Sequence, residues 1–374
     1  MKINLRFKNL PANSARRRGR GLRDIERLSI YALEAGVRRR YYLYGTRVAE
    51  ELAPIECPGA VLVERTNVKM AAGLVALVLI TALIVFIRHS SRSSNEASSV
   101  IAPGATLQTL AREFKFTEGP TSDKDGSVFF TDQPNNRIMK WSVDGRLSTF
   151  LQPSGRANGM FFDARGNLIA CADEKNELWS IAPNGTHKVL AKEFEGKPLN
   201  GPNDVWIHPS GGIYFTDPFY KRAWWTHANA PQPSQQVYRL APDHKTLTRL
   251  TDDLTQPNGI IGTPDGKRLF VADVGAKRTF VYDIAEDGAL TSKKTFCEMG
   301  SDGMTLDTEG NLFLTGNGVF IFDENGKQIE HIDVPERWTA NVSFGGPDRR
   351  TLFITATKGL YAIRMRYPGA NPAK

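Results

Sequence analysis

VWIHPSGGIYFTD, residues 205–217, is the stretch whose reading decides the fold. Two short runs of β-branched and aromatic residues flank a His-Pro-Ser-Gly turn, in which proline and glycine stop regular structure. Alone it reads as one hairpin. The same phrase of short strand, polar turn and apolar strand recurs as PTSDKDGSVFFTD (120–132), MFFDARGNLIACAD (160–173), IIGTPDGKRLFVAD (260–273), MTLDTEGNLFLTG (304–316) and SFGGPDRRTLFITA (343–356). The turn pairs start at 125, 165, 210, 265, 309 and 348, with spacings of 40, 45, 55, 44 and 39. After each hairpin comes a third strand such as RIMKWS or QVYRLA, then a fourth such as LSTFLQ or HKVLAK. Four strands per period of about 40–45 residues make a propeller blade. The expected fold is all-β, a six-bladed β-propeller over residues 104–367, with 368–374 as a tail. A two-sheet sandwich would not require so regular a period. No convincing 3.6-period amphipathic helix follows residue 110.

Six complete blades need a strand after residue 366, where the chain reads only YPGANPAK. TLQTLAREF, residues 106–114, precedes the first copy and has strand texture. It is expected to supply the outer strand of the last blade and so remove a dangling edge.

Seven residues before each turn pair stand Glu118, Asn158, Asn203, Asn258, Asp302 and Asn341. Asp, Glu and Asn make up 60 of the 374 residues, so chance does not fill six positions of one column with them. In four copies the next residue is glycine: Gly119, Gly159, Gly259 and Gly303. The first strand of each blade lines the central channel, and all first strands run the same way. A residue at the start of every first strand therefore joins a ring at one channel mouth. Oxygen-bearing side chains around a narrow axis suit a hard cation. The competing reading is that Asn and Asp merely begin turns, which leaves Glu118 unexplained.

Outside the repeats the charge is uneven. Residues 1–69 hold 15 Lys/Arg against 7 Asp/Glu, while residues 70–374 hold 33 of each sign. The bulk of the chain is neutral, so no phosphate-binding footprint belongs to it and no nucleic-acid partner is expected. Cys57, Cys171 and Cys297 are odd in number and widely spaced, which argues against a disulfide framework or zinc site. Residues 70–87, MAAGLVALVLITALIVFI, form an uncharged apolar run of 18 residues, near the length of a transmembrane or signal-anchor helix. A buried core helix is the weaker alternative. The basic excess before it places residues 1–69 in the cytoplasm and the propeller outside, periplasmic or extracellular. Met70 leaves open that residues 1–69 are not translated and that the run is a signal peptide, in which case the protein is secreted. Ser-rich residues 88–103 read as a linker.

FTEGP (116–120), NGPNDVWIHPSGGIYFTDP (200–218), QPNGIIGTPDGKRLFVAD (256–273) and SDGMTLDTEGNLFL (301–314) resemble the gluconolactonase and senescence-marker-protein (regucalcin) family. Diisopropyl-fluorophosphatase is a relative on the same fold. The resemblance covers roughly residues 110–365. It implies a six-bladed propeller with one divalent cation at the channel mouth, Ca²⁺ ahead of Mg²⁺, Mn²⁺ or Zn²⁺. The ligand positions it implies are Glu118, Asn203, Asn258 and Asp302; Asn158, in the same column, is expected to contact substrate or to support a ligand. Sugar-lactone members often carry an arginine two residues before the Asn203 position; here that residue is Gly201.

The expected reaction is opening of a small-molecule lactone or ester by water, on a propeller that closes as a monomer. The cation would stabilise the oxyanion. Asp302 is the catalytic candidate, with base and nucleophile both open, since metal ligation depresses a carboxylate's pKa. Asp204 would orient Asn203 or simply cap a turn. Blade three is the longest, and its extra residues 219–235 fall where the second strand returns to the metal mouth. Tyr220, Trp224, Trp225 and His227 make that loop a candidate wall for the substrate, Tyr220 and Trp224 as direct contacts. No GxSxG, HExxH or Walker sequence offers another chemistry. Two alternatives remain: an ester or organophosphate hydrolase on the same site, and a non-catalytic ligand-binding propeller with a structural cation.

Overall fold

In the computed structural model, the described residues are 29–34, 37–44, 47–52 and 99–370. They fall into two units, one within residues 1–88 and one from residue 89 onward. In the first, Ser29–Glu34, Val37–Tyr44 and Arg47–Leu52 form a three-stranded antiparallel meander. The sequence reading assigned no folded element there. Its Tyr, Leu and Val content and two-residue connections, with Glu34 facing Val37 and Tyr44 facing Arg47, are hairpin chemistry that the arginine clusters hide. The apolar run 70–87 lies outside the described residues. Among the described residues, no helix is long and apolar enough to cross a membrane.

The second unit holds, among the described residues, six four-stranded antiparallel sheets and one small two-stranded hairpin. The innermost strands are Thr117–Ser122, Ala157–Phe162, Val205–Ile207, Pro257–Gly262, Met304–Leu306 and Thr339–Gly345. Each neighbours the next, and the sixth neighbours the first, so the sheets close into a propeller. The second strands are buried along nearly their whole length, as in Val128–Asp132, Leu168–Ala172 and Ile213–Asp217. That follows from their place between two strands of their own sheet and two neighbouring blades. Apolar clusters fill the spaces between blades; one joins Trp206 and Tyr214 to Val271, Met304 and Leu314. Cys171 and Cys297 are free, buried thiols in this packing.

The sixth sheet takes its outer strand, Gln108–Ala111, from the segment before blade one, paired against Gly359–Arg364. The docked chain reaches further at both ends than the repeat implied. Val100 is buried among Ile363 and Met365, and Ile101 bridges Met365. At the other end Gly369 bridges Asp307, and Ala370 N donates to Leu306 O across 2.9 Å. Short apolar residues outside any repeat thus fill gaps that repeat counting cannot see.

The turn column explains itself in backbone terms. Gly126, Gly166, Gly211, Gly266 and Gly310 all have φ between +71° and +92°, a region that glycine enters without steric cost. The sixth copy puts Arg349 there at +56°. Its side chain holds blade six to blade one, donating to Ser122 Oγ at 3.0 Å and to Asp123 O at 2.9 Å.

Candidate functional site

At one mouth of the channel the inner strands begin and the second strands end. A cavity of about 350 Å³ opens there, and Glu118, Asn158, Asn203, Asn258 and Asp302 line it. Five of the six column residues are therefore brought together. The glycines beside them make this possible. A Cβ on Gly119 would lie 2.0 Å from Asn158 O, one on Gly159 2.6 Å from Asn203 O, and one on Gly303 2.0 Å from Asn341 Oδ1. Each glycine gives up its side chain so that the next blade's polar residue can approach the axis. The sixth member, Asn341, lies deeper, with Asp204 along the channel wall.

The polar contacts within the cavity are directional. Asn258 Nδ2 donates to Asp302 Oδ1 at 2.8 Å and to the Tyr220 hydroxyl at 2.9 Å. Those two bonds fix the amide, and among the described residues its buried Oδ1 has no partner. An orphaned buried acceptor is costly unless something absent from the protein satisfies it. Among the described residues, Glu118 Oε2 accepts only the neighbouring Gly119 N–H, at 3.1 Å. Burial, then the charge of Asp302, push the Glu118 carboxyl well above the usual carboxylate range. Burial likewise raises Asp302, while its bonds to Trp338 and Asn258 hold it down. Two buried carboxylates that repel each other, with an unpaired amide oxygen nearby, fit a divalent cation. Among the described residues, no group of three or more His, Cys, Asp or Glu could hold a metal ion; the donor set here owes half its members to asparagine.

Asp204, expected to orient Asn203 or cap a turn, lies along the channel wall beside Asn341. Its Oδ1 accepts the Val205 N–H at 3.0 Å, and its side chain meets that of Asn341. Burial raises its pKa to about 7. Its carboxylate faces the channel below the cavity.

The long loop of blade three does reach the cavity, through Tyr220 and Arg222. Trp224 is not among the lining residues. It lies behind them, with the Arg156 guanidinium 4.6 Å and the Arg222 guanidinium 5.7 Å from its ring. Trp225 docks the loop, its Nε1 donating to Asp173 O at 2.7 Å and its ring stacking on His227. A Cβ on Gly201 would meet Trp225 Cη2 at 2.7 Å. The loop thus covers this position, where the nearness of the Trp225 ring and a φ of +150° both favour glycine.

Sequence reasoning missed Trp338 and Arg222. Trp338 Nε1 donates to Asp302 Oδ2 at 2.6 Å from the rim of the cavity. It stands three residues before the blade-six column position, where no repeat register points. Arg222 lay within the quoted loop among aromatic residues that drew attention first. A lone cation inside a candidate wall was the available signal.

Fold and cavity together define a six-bladed propeller with a cavity lined by polar side chains where its inner strands begin. The chain belongs to the SMP-30/gluconolactonase/LRE-like family, whose model matches residues 116–358. It is 28% identical over 309 residues to a gluconolactonase of Zymomonas mobilis, covering 74% of this chain and 86% of that protein. It is 30% identical over 256 residues to the pentonolactonase XacC of Haloferax volcanii, covering 65% and 81%. Among solved structures, a gluconolactonase of Xanthomonas campestris superposes with a TM-score of 0.68 at 29% identity, over 72% of this chain and 92% of that one.

Proposed function

We propose that the chain hydrolyses a lactone at the propeller axis with the help of a divalent cation, Ca²⁺ first among candidates, held by Glu118, Asn203, Asn258 and Asp302. One observation carries this reading: all four residues line one cavity in which the buried Asn258 Oδ1 has no partner among the described residues. The lactonase names of the relatives support the reaction class. When bound, the cation would polarise the ester carbonyl and stabilise negative charge on its oxygen. The chain's own residues do the rest. Trp338 Nε1 and Asn258 Nδ2 hold the two oxygens of Asp302 in a fixed plane. Each oxygen keeps a second lone pair for a ligand or for water. Asp302 takes a proton from the attacking water, whose oxygen bonds to the acyl carbon. The ring C–O bond breaks, and the proton passes to the departing alkoxide. The product is an open-chain hydroxy acid. Burial raises the Asp302 carboxyl and a bound cation would lower it again, so its use as a base rests on the fixed position that Trp338 and Asn258 give it. Asn158 and Tyr220 contact the remainder of the ring.

The test is turnover of glucono-δ-lactone by chelator-treated protein resupplied with Ca²⁺, Mg²⁺, Mn²⁺ or Zn²⁺, followed by acid release. Restored turnover with one cation, lost in Asn203→Ala and Asp302→Ala, is the expected result. Failure of every cation to exceed the spontaneous rate sinks the reading; variants equal to wild type sink the site.

The propeller is further proposed to lie outside the cytoplasm behind residues 70–87. The apolar run and the basic excess preceding it support this. Protease accessibility of the propeller in intact cells or spheroplasts tests it, and a protected propeller would overturn it.

A further inference from the structure

Four blades place a buried aspartate at or just past the end of their second strand: Asp132, Asp173, Asp217 and Asp273. Three of these clamp the chain entering their own blade. Asp132 Oδ1 accepts Lys115 N at 3.0 Å. Asp217 accepts Asn200 N at 2.9 Å and Gly201 N at 2.8 Å. Asp273 accepts Thr255 N at 2.7 Å and Gln256 N at 2.9 Å. Asp173 departs from the pattern. In its blade the clamp has passed to Asn136, whose Oδ1 accepts Ser154 N at 2.9 Å and Arg156 N at 2.8 Å. The released Asp173 carboxylate accepts side chains instead: Gln133 Nε2 at 3.1 Å and Arg222 Nε at 2.6 Å.

We propose that Arg222, positioned by this released aspartate, selects the substrate by donating to vicinal hydroxyl oxygens of a neutral, polyhydroxylated lactone. This rests on the lactone-hydrolase reading above. Arg222 lines the cavity beside Asn158, Asn203 and Tyr220. Its side chain is 21% exposed, and its guanidinium lies 5.5 Å from the Tyr220 ring. Only its Nε hydrogen bonds to protein among the described residues, which leaves the two Nη groups of this cavity-lining side chain for a ligand. A planar fork suits two adjacent oxygens better than a lysine point charge does. Neutrality follows from charge balance. Asp173 offsets Arg222, and a divalent cation offsets Glu118 and Asp302, which leaves no surplus positive charge for an anionic substituent.

The test compares kcat/KM for glucono-δ-lactone, for unsubstituted δ-valerolactone and for a carboxylate-bearing sugar lactone. In Arg222→Met the ratio of the first to the second should fall about 10- to 100-fold, as expected for lost bonds to a charged donor, mainly through KM. Arg222→Lys should recover only part of it. Asp173→Ala should lower the same ratio, and the double variant should be no worse than Arg222→Met alone. Equal losses on both neutral lactones, full additivity of the two variants, or a wild-type preference for the carboxylated lactone would each overturn the proposal. If wild type opens no lactone, the hydrolase reading fails by itself. Calorimetric binding of 1,5-anhydro-D-glucitol, a neutral polyol ring without an ester, then decides the role of Arg222. Binding at least tenfold weaker in Arg222→Met supports it, and equal binding refutes it. Thermal melts monitor folding, and Arg222→Lys replaces Arg222→Met throughout if the latter melts well below wild type.

Discussion

Trp338 Nε1 holds Asp302 Oδ2 across 2.6 Å, and that bond fixes the carboxylate from outside the ring of candidate ligands. Partners of this kind typically tune metal affinity by about 10- to 100-fold. Trp338→Phe keeps the ring and removes the donor, so Ca²⁺ affinity measured by calorimetry should weaken by about tenfold with little change in melting temperature. Protons compete for the same oxygens. Glu118 and Asp302 are both raised by burial, so they remain protonated at pH values where ordinary carboxylates are ionised. Cation affinity should therefore rise with pH well above the ordinary carboxylate range and level off once both are charged. A flat affinity between pH 5 and 8 would contradict this. At this scale the sequence was legible wherever a residue sat in the repeat register. Glu118, Asn203, Asn258 and Asp302 could be found by counting back from a turn. Trp338 and Arg222 could not, because each enters the cavity from an irregular segment whose path depends on packing. Trp224 illustrates the converse: its loop could be placed, but which aromatic faces the cavity is set by Trp225 docking on Asp173.

The elements are held by devices repeated once per blade, and departures from the repeat are the informative places. Asp217 satisfies two buried backbone N–H groups at the entry to blade three. Asp217→Ala strands both, and chemical denaturation should find it less stable by about 2–4 kcal/mol. Arg349 departs in the turn column, accepting a left-handed backbone because its guanidinium ties the last blade to the first. Arg349→Gly relieves the backbone but loses these bonds, and a net destabilisation is expected, read as a lower midpoint in the same experiment. Both devices were invisible as such in the sequence. The Asp and Gly columns could be read, yet what each side chain grips depends on the neighbouring blade.

For the whole molecule, the six-fold count followed from the turn spacing, and the borrowed strand from the strand texture of residues 106–114 before the first copy. The limits of the folded unit did not, because Val100 and Gly369 belong to no repeat. A chain starting at residue 99 should keep the propeller intact, whereas one starting at 112 lacks both Val100 and Gln108–Ala111. The shorter chain should aggregate or melt far lower, since it exposes an unpaired sheet edge; equal melting of the two would refute the closure argument.

The borrowed strand also sets a timetable. Ala111 pairs with Leu360, so the ring is sealed only when the two ends of a long stretch of chain meet. During synthesis the early strand emerges before blade one and its partner only after the other five blades, so the closing step must wait until the whole propeller has been made. Contacts so distant along the chain make folding slow and leave partly assembled blades exposed meanwhile. The final seam, rather than any single blade, is where folding of this protein is completed and where a folding helper would have most effect.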